Sequence, residues 1–165
     1  MTIMTKLQRK NKPVITIIGI GNTLYQDEGI GVHALPYLED LVTTYENIEV
    51  IDGQTDSMRL LGPVEDAEYL IIIDAINAGK KPGELIELRG DQIPTYFGVK
   101  MSIHQIGFME VLSAAKLRER YPKHIIMFGM QPASLELGVE LSEIGKEQLP
   151  GLVEKVMNQV NEWRS

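Results

Sequence analysis

The sequence predicts an α/β fold, a three-layer α/β/α sandwich around a mostly parallel sheet. Two observations carry this expectation. Short runs rich in Ile and Val, "VITIIGIG" (14–21), "NIEVIDGQ" (47–54), "YLIIIDAI" (69–76) and "HIIMFGMQ" (124–131), lack proline and scarcely alternate, as strands covered on both faces do. Between them lie segments with apolar residues at helical spacing, so strands alternate with crossover helices.

The elements follow in chain order. A helical pattern extends from about Ile30 to Tyr45 with Pro36 inside it, and "SMRLLGPVEDA" (57–67) gives a short helix. "GELIELRG" (83–90) follows the turn-like "GKKPG" and alternates polar with apolar residues, the mark of a strand nearer an edge. "QIGFMEVLSAAKLRERY" (105–121) carries a stripe of Ile106, Met109, Val111, Leu112 and Ala115. In "SEIGKEQLPGLVEKVMNQVNEW" (142–163), Leu152, Val156 and Val160 share a face. Pro36 and Pro150 should each start, kink or divide the helix they fall in. One domain is expected over 14–163, behind a polar, basic leader, "MTIMTKLQRKNKP" (1–13), that reads as disordered.

Bulk properties remove several function classes. With 16 basic and 23 acidic residues the net charge is −7, which argues against a basic face for nucleic acid or anionic membrane. No apolar run approaches the roughly 20 residues that span a bilayer, and none follows the leading charges as a secretory signal would. A cytoplasmic location is therefore expected. The absence of cysteine excludes disulfides, thiolate metal sites and a thiol nucleophile. Any metal site must use His, Asp, Glu and backbone or water oxygens.

In open parallel sheets ligands bind beyond the carboxyl ends of the strands, near a switch in strand order. The polar residues that follow the strand segments are Asn22, Asp27 and Glu28 after the first, Asp52 after the second and Asp74 in the third. His104 stands just ahead of the 105–121 helix, and Gln131 follows the last strand. "GIGNTL" (19–24) resembles a dinucleotide-binding turn, with Asp52 available for a ribose hydroxyl. However, the third small position holds Leu24, the helix start is displaced towards Gly29, and Asp27 and Glu28 would repel pyrophosphate. No nucleotide is expected. Glu28, Asp74 and His104 instead form a plausible ligand set for a divalent transition ion. Asp74 closes a very apolar strand, and a cation would offset its desolvation.

Structural roles stay open for the same residues. Asp27 suits a helix N-cap and Glu28 a first helical turn. Asp74 could accept loop N–H groups, and His104 could be a packing residue. His33 and His124 read as structural or surface residues, and Ser102 lacks a nucleophile elbow around it.

Six landmarks, "GIGNTLYQDEGIGVHAL", "IDGQT", "LIIIDAI", "PGEL", "HQIGFMEVL" and "GMQP", occur in an order and spacing that resemble the hydrogenase maturation endopeptidases. These cut the C-terminal extension from the large subunit of nickel–iron hydrogenases. The resemblance covers about residues 14–160 and implies a five-stranded mixed sheet in which "GELIELRG" is the antiparallel strand. It also implies that Glu28, Asp74 and His104 contact nickel supplied by the substrate precursor, with Glu28, Asp74 or Asp52 handling a proton. Gln54 stands where the family more often has a second glycine. The partner implied is the large-subunit precursor, and a monomer is expected. A different class, a metal- or nucleotide-binding maturation chaperone without peptidase activity, is the alternative.

Overall fold

A computed structural model describes residues 14–53, 57–99 and 103–165. Strand β1 (Ile15–Gly19) leads through a 3-10 turn (Gln26–Gly29) into helices α1 (Ile30–His33) and α2 (Leu35–Leu41). Strand β2 (Ile48–Asp52) is followed by a 3-10 turn (Ser57–Leu60) and α3 (Leu61–Asp66). The remainder is β3 (Tyr69–Ala75), β4 (Leu85–Arg89), α4 (Gln92–Val99), α5 (Ile103–Leu117), β5 (His124–Met130) and α6 (Glu143–Arg164). The expected leader (1–13) and Gln54 lie outside the described residues.

The five strands make one sheet in the order β2-β1-β3-β5-β4, parallel except for the antiparallel pair β4 and β5. Side chains alternate across it because the strand period is two. Ile15, Ile17, Ile71, Ile73, Ile126 and Phe128 face one way, under α1, α2 and α6 through Ile30, Leu38, Leu152, Val156 and Val160. Ile18, Leu70, Ile72, Ile125 and Met127 face the other, under α3, α4 and α5 through Val64, Ile93, Phe108, Val111 and Leu112. Each fully buried aliphatic side chain contributes about 1.5–3 kcal/mol, which makes these two layers the main source of stability.

Four local expectations are corrected. β2 is an edge strand with Glu49 and Asp52 exposed, so it is not covered on both faces. Its apolar residues only mimic a central strand. Pro36 does start a new helix, α2, but Pro150 neither starts nor divides one, since α6 continues through it. Pro150 sits on the exposed side, where an unpaired carbonyl meets water, and the buried Leu149, Leu152 and Val153 hold the helix against the sheet. α4 was not expected, because "QIPTYFGV" has Pro and Gly and no clear period. On α5 the buried face is Gln105, Phe108, Val111, Leu112 and Ala115, while Ile106 points outward at 43% exposure.

No helix among the described residues is long and apolar enough to cross a membrane.

Candidate functional site

From β1 the chain passes to β2 on one side, while β3 lies on the other. The crevice at the carboxyl ends of β1 and β3 is thus the switch point where α/β sheets bind ligands. Glu28 enters it from the loop after β1, and Asp74 ends β3 from beneath. Gly21 brings them together. Its φ of +129° suits glycine, and a Cβ there would collide with the Glu28 carbonyl and stand 3.4 Å from Asp74 Oδ1. The glycine that permits close packing of helix on strand is Gly31, whose Cα lies against the Ile73 and Ile20 carbonyls. The glycines of "GIGNTLYQDEG" therefore serve a tight backbone approach, with no need of phosphate to explain them.

Asp27 and Glu28 part company at this point. Asp27 is fully buried and caps no helix of its own. Its Oδ2 accepts from Ala133 N (2.9 Å), Ser134 N (3.2 Å) and Ser142 Oγ (2.7 Å), and its Oδ1 accepts from Ser142 N (2.9 Å). Ser142 in turn caps α6 by accepting from Gly145 N. The N-cap reading of Asp27 is corrected: it fastens the 133–142 loop to the turn that carries Glu28.

Asp74 is 2% exposed. Its Oδ1 accepts from Ala75 N (2.8 Å) and its Oδ2 from Gln105 Nε2 (2.7 Å). Burial pushes its carboxyl up to about 8, against the pull of those two donors, and the neighbouring Glu28 charge adds to the rise. Gln105 also reaches Tyr96 Oη (3.5 Å), which accepts from Asn77 N (3.1 Å). Burial raises the Tyr96 hydroxyl above its usual range. Gln131 closes the group, with Oε1 accepting from Ala78 N and Lys80 N and Nε2 donating to Asn77 Oδ1.

His104 lies in the first turn of α5, immediately before Gln105; its side chain is outside the described residues. Ser102 is also outside them. Among the described residues no three His, Asp or Glu side chains cluster closely enough to hold a metal ion; of the three expected ligands, Glu28 and Asp74 come from backbone that meets around Gly21, near enough for the Glu28 charge to act on Asp74. Asp52 ends β2, exposed and in register with Gly19. It reaches the same sheet edge but is two strand spacings, roughly 10 Å, from β3. His124 opens β5 at the opposite end, stacked on Tyr69, and His33 ends α1.

Gln105 and Tyr96 were not anticipated. The first had a signal, since stepping back from Leu112 and Phe108 along the buried face of α5 reaches Gln105. Tyr96 had none, because the helix that carries it was not legible.

A model of the hydrogenase maturation protease family (HycI) matches residues 32–159. The chain belongs to that family. Among curated members, the hydrogenase expression/formation protein HupD of Bradyrhizobium diazoefficiens is 39% identical over 90% of this chain and 79% of its own length. The hydrogenase 2 maturation protease of Escherichia coli is 36% identical over 90% of this chain and 91% of its own. Among solved structures, the hydrogenase maturating endopeptidase HybD from E. coli superposes with a TM-score of 0.82 at 35% identity, covering 90% of this chain and 92% of that one. HybD from Thermococcus kodakarensis gives 0.73 at 28% identity, covering 88% and 97%. The hydrogenase maturation proteases are endopeptidases, and this member is accordingly a hydrolase with their mixed five-stranded fold.

Proposed function

We propose that this protease removes the C-terminal extension of a nickel-loaded large-subunit precursor of a nickel–iron hydrogenase. In this reading Glu28, Asp74 and His104 contact the substrate's nickel. The observation that carries it is the pairing of Glu28 with a buried Asp74 whose carboxyl is raised to about 8 at the switch point. Burial and the neighbouring Glu28 charge both disfavour ionised Asp74, and a cation in contact with both carboxylates would offset the two effects together. Oxygen and imidazole donors suit a borderline ion that must be contacted and then released.

The chain's own residues divide the work. Gln105 and the Ala75 N–H hold the Asp74 carboxylate by its two oxygens, so that it meets the metal in one orientation. Asp74 releases its proton to solvent on contact; Glu28, Asp74 or Asp52 then takes a proton from the attacking water and passes it to the leaving amine as the peptide C–N bond breaks. The chemistry that the bound nickel supplies is polarisation of the scissile carbonyl. A cytoplasmic, monomeric enzyme needing no nucleotide completes the reading.

Purified protease mixed with nickel-loaded and nickel-free precursor should release the C-terminal peptide from the loaded form alone, read by intact-mass spectrometry. Cleavage that ignores nickel, or survives Glu28→Gln and His104→Ala, would defeat the mechanism. Specific binding without cleavage would favour the maturation chaperone.

A further inference from the structure

We infer that the paired loops beside Glu28 are the docking surface for an aliphatic segment of the nickel-carrying polypeptide, and that this surface, apart from the metal contacts, sets affinity for the precursor. The inference rests on the cleavage reading above and names where that substrate is held.

Loops are ordinarily polar, yet here five large apolar side chains stand out in two neighbouring ones. Leu137 is 78% exposed, Val139 67%, Leu24 53%, Leu135 48% and Tyr25 41%. The loops are joined by a parallel bridge between Tyr25 and Gly138, with Gln26 N donating to Gly138 O (2.9 Å) and Gly138 N to Leu24 O (2.8 Å). Beneath them, Asp27 fixes the backbone at Ala133, Ser134 and Ser142. Contiguous exposed apolar area marks an interaction site. A surface already fixed at its base loses little freedom on binding, which lowers the cost of association.

Two observations point to the occupant. The surface adjoins the candidate site, because Tyr25 precedes the same 3-10 turn that carries Glu28, with Glu28 N donating to Tyr25 O (3.1 Å). A polypeptide whose metal reaches Glu28 comes within a turn of these loops. The exposed Glu136 stands between Leu135 and Leu137 in a chain of net charge −7, while Glu140 beside them pairs with Lys146 (3.5 Å), so a segment with a flanking Lys or Arg opposite Glu136 fits best.

The test is steady-state cleavage of nickel-loaded precursor by wild type, by Leu137→Ser/Val139→Ser and by Glu136→Lys. A double substitution on the exposed face of α2, Tyr37→Ser/Leu41→Ser, serves as control. The double loop variant should raise KM at least tenfold with kcat changed less than twofold, and its binding of free Ni²⁺ by calorimetry should match wild type. Glu136→Lys should slow association and weaken its dependence on salt, and the α2 control should leave both constants unchanged. A loop variant with wild-type KM, or one no worse than the control, overturns the docking surface while cleavage by wild type keeps the functional reading. Failure of wild type to bind or cleave the loaded precursor overturns both. Melting temperatures within about 2 °C of wild type show that the loop variants are folded; should the double variant fall outside this, Leu137→Ser alone carries the same KM criterion.

Discussion

Asp27 turns its carboxylate inward to four donors, the N–H groups of Ala133, Ser134 and Ser142 and the Ser142 hydroxyl, while the charge of the next residue, Glu28, acts on Asp74 at the switch point. The buried Asp74 gives a stability test. Its carboxyl is raised from 3.8 to about 8, so between those values the native state keeps a proton that the unfolded chain has released. Stability contributed at this position is therefore greatest below about pH 4, falls as pH rises through the window, and is lowest above about 8. Asp74→Asn removes the titration. The melting temperature of the variant minus that of wild type should grow by several degrees between pH 5 and pH 8 by scanning calorimetry; a flat difference would contradict the buried, raised carboxyl. Gln105→Leu takes away the donor to Oδ2 and should cost roughly 1–3 kcal/mol at pH 8, less at pH 5 where Asp74 is neutral, read by urea unfolding at the two pH values.

At the scale of elements, the loop that joins β5 to α6 depends on Asp27. Asp27→Ala leaves three backbone N–H groups and the Ser142 hydroxyl without their acceptor and should cost roughly 3–5 kcal/mol. Hydrogen exchange should show Ala133, Ser134 and Ser142 losing protection while Val156 and Val160 in α6 keep theirs. Uniform loss along α6 would count against a local clamp. The elements most legible in the sequence are those that packing dictates: β1, β3 and β5 are short, Ile-rich, largely apolar runs because helices cover both faces. β2 looked alike, since the pattern Ile48, Val50, Ile51 does not say that Glu49 and Asp52 face solvent at an edge. Pro150 does not divide α6 because the local rule is outweighed by the apolar face on either side of it. Helix α4 lacked a period to read.

For the whole molecule, the strand order places Glu28 and Asp74 on either side of one crevice, which is why residues 46 apart in sequence could be paired from topology alone. What topology could not give was the support around Asp74, because Gln105 and Tyr96 come from helices on the second layer. The central claim is that Glu28 and Asp74 contact nickel carried by another chain. Nickel K-edge X-ray absorption on the loaded precursor, alone and bound to the protease, tests it most directly. The account predicts added oxygen or nitrogen neighbours at nickel on binding, diminished with Glu28→Gln/Asp74→Asn. A spectrum unchanged by complex formation would contradict it.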